Sequence, residues 1–502
     1  MRDRVLILSV LIVASCGLGY ELISSALASY LLGDSILQFS SVIGCYLFAM
    51  GIGSWLSKYV KDDDVLNRFI DVELAVALLG GVSAAVLFLV FAWLSAPFRA
   101  ALYAGVFIIG LMVGMEIPLV MRVFNQRKAE FREIVSRVLT FDYLGALAVS
   151  LIFPLLLAPK LGLLRTSFLF GMLNAGVALW TTWLFRAEIR RPAERAMRGC
   201  VVLGLLALGF LFSGQMTAWA EKGLYGDDVV HAETTPYQRL VVTRWHDDLR
   251  LYINGNLQFS SRDEHRYHES LVIPGLQALP WARNVLVLGG GDGLAVREIL
   301  KYKHVEHVTL VDLDPAMTGL FKSNAMMTAL NGNALNDARV SIVNTDAFHW
   351  LQETADTFDV IVVDFPDPTN FAIGKLFTNS FYSLLDKRLA ASGYAVIQTT
   401  SPLIARRSFW TVVQTVESVG LTAAPYHVHV PSFGEWGFVL ASHRPWREPE
   451  ALPAGMRFLT LPTLRLMFDF PLDMARVPTE VNRLSNQVLV NTYEREWGKV
   501  EH

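Results

Sequence analysis

Four short apolar runs in the second half of the chain are each followed by an aspartate. These are Asp292 in a glycine turn, Asp312, Asp346 and Asp364. One aspartate in such a position is commonly the N-cap of the next helix. Four of them at one edge of a sheet would instead form a negatively charged mouth, which attracts a cation and repels phosphate and carboxylate groups.

The turn around Asp292 reads Gly289-Gly-Gly-Asp-Gly293, between an apolar strand and a helix-like segment. Strand, glycine turn and helix N-terminus together are typical of the nucleotide corner of a doubly wound sheet. Gly289 and Gly291 allow the backbone to approach a ligand closely. A helix N-terminus already favours an anion, so a carboxylate here indicates a ligand with a positive charge. An ordinary nucleotide turn remains the alternative.

Asp364 and Asp367 lie three residues apart in a proline-containing turn. Such a pair can hold one cationic amine between two carboxylates. It can also remove a proton, because an amine must be neutral before it acts as a nucleophile. We therefore expect general-base chemistry at this turn.

The elements that position these residues are predicted from alternating patterns. Strands and helices alternate from Asn284 onward, which predicts a mostly parallel α/β sheet covered on both faces. Its expected strands are 285–288, 307–311, 340–343, 359–363 and 394–398, with two more near 425–430 and 436–441. Four regions follow from this: a transmembrane helical domain (1–220), a small β-strand unit (221–280), a Rossmann-like doubly wound domain (281–445) and a C-terminal extension (446–502).

The first region is apolar enough to cross a lipid bilayer. The whole chain is 53% hydrophobic and only 18% charged, and its net charge of −3 gives no sign of nucleic-acid binding. A span needs about 20 apolar residues. About seven segments qualify: 5–32, 36–57, 70–94, 98–121, 138–159, 163–185 and 199–219. The three cysteines predict neither a metal site nor a disulfide framework.

Acidic residues lie within or near these spans: Glu21, Asp71, Glu73, Glu116 and Asp142. A carboxylate in a membrane helix is either functional, as in a cation path, or paired at a helix interface. Glu21 and Glu116 are the best functional candidates. Basic residues follow the second, fourth and sixth spans, which places the N-terminus in the cytoplasm. An odd number of spans puts the C-terminal region on the opposite side, unless one span is re-entrant or miscounted.

The second half resembles the spermidine synthase (polyamine aminopropyltransferase) family. The resemblance rests on Tyr237-Gln238, Tyr267-His268-Glu269, Gly289 to Gly293, Val311-Asp312, Asp346-Ala347, Asp364 to Pro368 and Leu376 to Tyr382. It implies a Rossmann-like fold of the class I methyltransferase type. It also implies decarboxylated S-adenosylmethionine as co-substrate, a small-molecule polyamine partner, and neither a metal nor another cofactor. The first half resembles the major-facilitator-like segment fused to such domains, in a multi-pass protein of the cell (inner) membrane. A homo-oligomer stays open.

The resemblance also implies a role for each site residue. Asp292 would bind the donor's amine and repel the carboxylate of ordinary S-adenosylmethionine. The rest of the donor would contact Gln238, Gly289, Gly291, Asp312 at the ribose, and Asp346 with Ala347 at the adenine. Asp364 would accept the proton, Asp367 would hold the acceptor amine, and Tyr267 and His268 would line the amine site.

Two alternative functions remain at this point. One is a methyltransferase of the same fold, which would have no use for Asp364 and Asp367. The other is a polyamine transporter or sensor without catalysis, for which Glu21 or Glu116 would be essential. Phe433 and Trp436 stand where soluble family members have a tyrosine-containing loop, so the identity of the acceptor amine also stays open.

Overall fold

The computed structural model describes residues 2–32, 35–93, 98–126 and 131–499. The chain divides into two compact units, Met1–Val229 and Val230–His502. The first is helical and the second is an α/β unit. The sequence predicts the boundary between them at residue 220. The last helix of the first unit continues past that predicted boundary, to Tyr225.

The first unit consists of long helices that agree with the predicted apolar segments. Their bounds are α1 Arg2–Leu32, α2 Ser35–Leu56, α3 Val65–Trp93, α4 Phe98–Asn125, α5 Phe131–Ile152, α6 Ala158–Leu184 and α7 Pro192–Tyr225.

Two apolar clusters occupy opposite ends of this helical unit. At one end, Leu6 and Val10 of α1 pack with the beginnings of α3 and α5 and with the ends of α4 and α6. At the other end, Tyr20 and Leu27 of α1 pack with the ends of α3 and α5 and with the beginnings of α2 and α4. Successive helices therefore run in opposite directions. Ala220 of α7 belongs to the second cluster, so the chain leaves the bundle at the end opposite the beginning of α1.

Six helical stretches in the described residues are long and apolar enough to cross a membrane, and one of them, Arg132–Leu184, spans 53 residues. As a single helix it would be about 80 Å long, far more than the roughly 30 Å core of a bilayer. It contains a π-helical turn at Phe153–Leu157 and a break at Gly162, whose φ is 77°. Its two halves run antiparallel, so the six stretches make seven passes through the bundle.

Small residues allow α2 and α4 to pack closely. A Cβ atom added to Gly53 would lie 1.9 Å from the carbonyl oxygen of Leu111, and one added to Gly114 would lie 2.1 Å from that of Met50. Either substitution would push the two backbones apart. Such contacts between glycines and a neighbouring backbone are a usual basis of helix association in lipid.

The second unit begins with a four-stranded antiparallel sheet, in the order β1 Asp228–Thr234, β2 Arg239–Trp245, β3 Asp248–Ile253 and β4 Asn256–Ser260. The turn between β3 and β4 is Asn254-Gly255, and both residues have positive φ, as expected for a tight hairpin. Helix α8 (Glu264–Leu276) follows and carries the Tyr267-His268-Glu269 motif.

A seven-stranded sheet forms the rest of the second unit. The elements are β5 Asn284–Gly289, α9 Leu294–Leu300, β6 His307–Asp312, α10 Pro315–Ser323, α11 Ala325–Leu330, β7 Val340–Asn344, α12 Ala347–Glu353, β8 Phe358–Asp364, α13 Phe371–Gly374, α14 Asn379–Arg388, β9 Leu389–Gln398, α15 Arg406–Glu417, β10 Thr422–Val430 and β11 Gly434–Ser442. The spatial order is β10-β11-β9-β8-β5-β6-β7, in which β11 is antiparallel to both of its neighbours.

Alternation along β5 shows why the sheet is covered on both faces. Val285 and Val287 belong to one buried cluster, and Leu286 and Leu288 belong to another. Side chains alternate between faces along a strand, so an uninterrupted apolar run is what a strand buried on both faces requires.

The C-terminal extension packs on this sheet unit instead of forming a separate body. Buried Glu269 of α8 accepts hydrogen bonds from the backbone N–H groups of Arg457, Phe458 and Leu459. Helices α16 (Leu461–Leu466) and α17 (Val488–Trp497) follow. Glu496 of α17 accepts hydrogen bonds from backbone N–H groups at the beginning of α15. The glutamate of the Tyr-His-Glu motif therefore anchors the extension.

Candidate active site

The four predicted strand-end aspartates lie at one edge of the sheet, because β8, β5, β6 and β7 are adjacent and parallel. Gly289 is paired with Asp364, and Asp312 is paired with Asn344. Ligands of such sheets bind outside the carboxyl ends of the strands. The sheet order thus assembles the negative mouth that the sequence predicts.

The glycine turn approaches both neighbouring strands closely. Gly289 has a φ of 80°, and a Cβ atom there would lie 2.2 Å from the carbonyl oxygen of Asp364. A Cβ atom on Gly291 would lie 2.6 Å from Oδ2 of Asp312, whose carboxylate accepts a 3.0 Å hydrogen bond from the Gly291 N–H. Both positions therefore require glycine, for backbone conformation at one and for space at both.

Asp292 is half-buried in the turn, and its Oδ1 accepts a 2.9 Å hydrogen bond from the Leu294 N–H. Burial raises the pKa of Asp292, while the charge of His268 opposes that increase. Burial also raises the pKa of Asp312, to about 6, against the hydrogen bonds from the Asp314 and Gly291 N–H groups. A cationic ligand would stabilise the charged form of both carboxylates.

Gln238 is held at the same edge by Asp314, which the sequence analysis did not single out. Asp314 Oδ2 accepts hydrogen bonds from Gln238 Nε2 at 2.9 Å and from Thr235 Oγ1 at 2.8 Å. Its other oxygen caps α10 through the Ala316 N–H. Asp314 therefore links the small β-sheet to the seven-stranded sheet and orients the Gln238 amide.

Asp346 differs from the other strand-end acids because protein groups already contact both of its oxygens. Oδ1 caps α12 through the Phe348 N–H at 2.8 Å, and Oδ2 lies 2.5 Å from Nζ of Lys375. Although burial raises the pKa of Asp346, the Lys375 ammonium lowers it below its usual value. Ala347 is the buried first residue of α12. Asp346 is therefore a helix cap and an ion-pair partner in this structure.

His268 lies behind the mouth, at 2% exposure, and is tied to an acid that the sequence analysis missed. Its Nδ1 lies 2.9 Å from Oε2 of Glu264, which also receives Arg297 Nη2 at 2.8 Å. Burial alone would lower the pKa of His268, but Glu264, Asp292 and Asp364 raise it to about 9. The imidazolium is thus a positive charge among the carboxylates. The four-residue helical spacing of Glu264 and His268 was the available signal.

Asp364 is held by a side-chain hydroxyl. Tyr267 donates a 2.6 Å hydrogen bond to Asp364 Oδ1. Burial raises the pKa of Asp364 to about 6, and Asp292 adds to this effect, while His268 and the Tyr267 hydrogen bond oppose it. A carboxylate with a pKa near 6 is ionised at neutral pH and is a stronger proton acceptor than an ordinary aspartate.

Asp367 is held in a similar way, by a residue of the C-terminal extension. Tyr493 of α17 donates a 2.7 Å hydrogen bond to Asp367 Oδ2 across 126 residues of sequence. The other oxygen, Oδ1, is buried without a hydrogen-bond partner in the described part of the chain. Burial raises the pKa of Asp367 to about 7, while the Tyr493 hydroxyl and the Gln398 and Thr400 side chains oppose that increase. No local pattern in the sequence indicated Tyr493.

Aromatic side chains line the part of the site that contains Asp364 and Asp367. Phe433 lies between Tyr267 and Trp436, with ring centroids 6.2 Å and 5.3 Å away. Trp436 donates a hydrogen bond to Gln398 Oε1 at 3.1 Å and lies 6.4 Å from Trp497 of the extension. Trp497 Nε1 also donates a hydrogen bond to Thr400 Oγ1 at 3.0 Å. These rings form an apolar wall beside two carboxylates, which suits an alkyl amine.

The chain matches known proteins over nearly its entire length. A family model described as a spermine/spermidine synthase domain matches residues 264–448. A polyamine aminopropyltransferase of Ralstonia nicotianae is 60% identical over 99% of both chains, and that of Leptospira interrogans is 51% identical over 99% of both.

The crystal structure of spermidine synthase from Thermotoga maritima aligns with 54% of this chain and 88% of its own, at 22% identity and a TM-score of 0.44. The two full-length relatives extend through the helical unit as well as the sheet unit. With identities of 60% and 51% over 99% of its length, the chain belongs to the polyamine aminopropyltransferase family.

Proposed function

We propose that this protein makes spermidine by transferring an aminopropyl group to putrescine. Polyamine aminopropyl transfer, with decarboxylated S-adenosylmethionine as co-substrate, is the activity of its family. The finer proposal concerns the acceptor and the residues that act on it. It rests on two adjacent acids, Asp364 and Asp367, each oriented by a tyrosine hydroxyl beside an aromatic wall.

The ends of β5, β6 and β7 bind the donor in this proposal. Asp292 pairs with the donor's ammonium group and repels the carboxylate of ordinary S-adenosylmethionine. Asp312 accepts hydrogen bonds from the ribose hydroxyls, and Gln238, oriented by Asp314, contacts the nucleoside. The adenine lies beside Ala347. Asp346 acts there chiefly by fixing the beginning of α12, because Lys375 and backbone N–H groups contact its oxygens.

The end of β8 binds the acceptor and takes its proton. The unpartnered Oδ1 of Asp367 receives one ammonium group of the diamine. Asp364 removes a proton from the reacting amine, whose nitrogen then attacks the methylene group next to the sulfonium. The new C–N bond forms as the C–S bond breaks, and methylthioadenosine leaves with the electron pair. Alignment and proton removal supply most of the acceleration, because the sulfonium is already a good leaving group.

Methylthioadenosine release with a panel of amines tests this proposal. Full-length protein in detergent, given decarboxylated donor, should form most product with putrescine and less with longer or shorter diamines. Absence of product with every amine, despite donor binding, would refute the proposal. Methyl transfer from ordinary S-adenosylmethionine would instead support the methyltransferase alternative.

We also propose that the helical unit spans the cell membrane in seven passes, with the beginning of α1 on the cytoplasmic side. Six long apolar stretches and seven antiparallel passes support this assignment. Basic residues that follow α2, α4 and α6 lie at the same end as the beginning of α1, as the charge rule for cytoplasmic loops requires. The chain then leaves the bundle on the opposite side.

Reporter fusions test this topology. A phosphatase that is active only outside the cytoplasm should be active when fused after residue 499, and a fluorescent protein that folds only inside should be dark there. The reverse pattern would show that the sheet unit is cytoplasmic and that one pass is re-entrant. The matched control is a fusion in the segment between α6 and α7, which should report the cytoplasmic side.

A further inference from the structure

Two buried glutamates lie inside the helical bundle and take no part in the proposed aminopropyl transfer. Glu73 of α3 is fully buried, and Glu116 of α4 is 2% exposed. Each lies between residues of the two end clusters: Glu73 between Phe69 and Val76, and Glu116 between Val113 and Leu119. Glu73 is eight residues, about 12 Å, after the beginning of α3, and Glu116 is nine residues, about 14 Å, before the end of α4. Both carboxylates therefore lie inside the bundle, nearer to the end at which α1 begins.

These carboxylates have unsatisfied hydrogen-bonding capacity. Both oxygens of Glu73 and Oε1 of Glu116 are buried without a hydrogen-bond partner in the described ranges. The two side chains repel each other electrostatically. Among the described residues, no lysine or arginine forms an ion pair with either glutamate, whereas Asp71, two residues before Glu73, pairs with Arg195 at 3.1 Å. Burying carboxylates without a cation is strongly unfavourable.

The hydroxyl of Tyr20 is a third buried group in the bundle without a hydrogen-bond partner among the described residues. Tyr20 is fully buried, its hydroxyl has no partner in the described residues, and it interacts electrostatically with both glutamates. The nearby Tyr46 hydroxyl, by contrast, donates a 2.7 Å hydrogen bond to the Gly17 carbonyl. A Cβ atom on Gly80 would lie 2.5 Å from the Tyr20 ring, so Gly80 provides the space that this ring occupies.

We propose that Glu73, Glu116 and Tyr20 form a binding site for the primary ammonium group of an amine within the helical unit. An ammonium group donates three hydrogen bonds, and three unpartnered carboxylate oxygens are available to accept them. Its single positive charge would balance one ionised carboxylate where the described residues supply no cation. Cation sites built from side chains inside a membrane bundle are a known arrangement in transporters.

An ammonium group fits this site better than a metal ion. No group of three or more histidine, cysteine, aspartate or glutamate side chains among the described residues could hold a metal. The choice of a substrate or product amine rests on the proposed function, because putrescine, spermidine and the decarboxylated donor all carry a primary ammonium group. We assign to this site the binding of such an amine.

Equilibrium dialysis of full-length protein in lipid nanodiscs tests the site. Asp364→Asn and Asp367→Asn are combined first, to remove acceptor binding at the strand ends. Radiolabelled putrescine should still bind, at about one per chain, and Glu73→Gln or Glu116→Gln should each weaken binding at least about tenfold, the loss expected for one charged hydrogen bond. The matched control is Glu133→Gln, which changes an exposed acid of α5 that pairs with Arg137.

Unchanged binding in both glutamine variants would overturn the proposal. So would displacement of putrescine by sodium or calcium at concentrations at which other amines do not compete. Spermidine and the decarboxylated donor, used as competitors, show which amine binds best. Because these chains cannot turn over, the result is separate from methylthioadenosine release by the native enzyme, which tests the proposed function.

A second measurement needs no substitution in the helical unit. A hydrophobic carbodiimide modifies buried carboxyl groups, and mass spectrometry locates the modified residues. Putrescine should protect Glu73 and Glu116 in the native chain and should leave the labelling of Glu133 unchanged. Equal labelling with and without putrescine would overturn the proposal even if the glutamine variants failed to fold.

Discussion

We call the ends of β5, β6 and β7 the donor half of the sheet edge, and the end of β8 the acceptor half. The two halves hold their carboxylates in different ways. In the donor half, Asp292 and Asp312 accept hydrogen bonds from backbone N–H groups within their own turns or of the adjacent strand end. In the acceptor half, Asp364 and Asp367 accept hydrogen bonds from the hydroxyls of Tyr267 and Tyr493, which are distant in sequence. One half is organised by the backbone and the other by side chains.

This difference matches the tasks that we propose for the two halves. Backbone donors keep a carboxylate in one place and offset part of the rise in pKa that burial causes, although the pKa of Asp312 is still about 6. A cationic donor bound there would stabilise the charged form further. In the acceptor half, burial raises the pKa of Asp364 to about 6 against the Tyr267 hydrogen bond. It raises the pKa of Asp367 to about 7 against the Tyr493 hydroxyl and the Gln398 and Thr400 side chains. Such groups can exchange a proton near neutral pH.

The largest effect should come from Asp364→Asn. Asparagine can still accept the Tyr267 hydrogen bond but cannot take a proton, so methylthioadenosine formation should fall by about 10²- to 10⁴-fold. Donor binding, measured by calorimetry, should change little. The control is Asp359→Asn at the other end of β8, where Asp359 Oδ2 caps the Arg283 and Asn284 N–H groups. Comparable activity of the two variants would contradict the assignment of Asp364 as base.

A somewhat smaller effect is expected for Asp292→Asn. The amide keeps the hydrogen bond from the Leu294 N–H but loses the charge that attracts the donor's ammonium group. Loss of one charged hydrogen bond costs about 1.5–3 kcal/mol, so donor binding should weaken roughly 10- to 100-fold. Ordinary S-adenosylmethionine should lose much less, so discrimination between the two ligands should shrink. Equal losses for both would show that Asp292 does not select the donor.

These halves also differ in how far sequence alone could predict them. The strands, the glycine turn and the four strand-end acids all depend on local patterns, and the structure contains each of them. Glu264 could have been found from its four-residue helical spacing to His268. Tyr493 could not, because a hydrogen bond between residues 126 apart leaves no periodic signal. The roles of these residues in catalysis remain predictions.

In the helical unit, too, sequence alone predicts the elements but not the contacts between them. Seven apolar segments were predicted, and the described residues contain seven long antiparallel helices, because length and hydrophobicity are local properties. The sequence singled out Glu116 together with Glu21. In the structure, Glu116 is instead repelled by Glu73, more strongly than by Asp142. Which buried acids become neighbours depends on how helices pack, and a single sequence does not contain that information.

The two halves should respond differently to acid. Asp367, with a pKa of about 7, and Asp364, with a pKa of about 6, must be ionised to hold and deprotonate the amine. Because both acids must be ionised, kcat/KM for putrescine should fall by about tenfold per pH unit between pH 7 and 6, and by about a hundredfold per pH unit below pH 6. Donor binding should persist to about pH 6, where Asp312 becomes protonated. If donor binding and kcat/KM for putrescine fell at the same pH, the two halves would not differ in their response to acid.

The smallest effect, and the sharpest test of the comparison, is expected for Tyr493→Phe. The Tyr493 hydrogen bond lowers the pKa of Asp367, so its removal should raise that pKa and leave less carboxylate ionised at neutral pH. We expect kcat/KM for putrescine to fall about tenfold or less at neutral pH and to recover partly at alkaline pH, while donor binding stays unchanged. Tyr302→Phe removes another buried hydroxyl, one with no hydrogen-bond partner in the described residues, and should leave the pH profile unaltered. A Tyr493→Phe profile with the native acid limb would mean that α17 only packs against the sheet, and that the acceptor half does not depend on the extension.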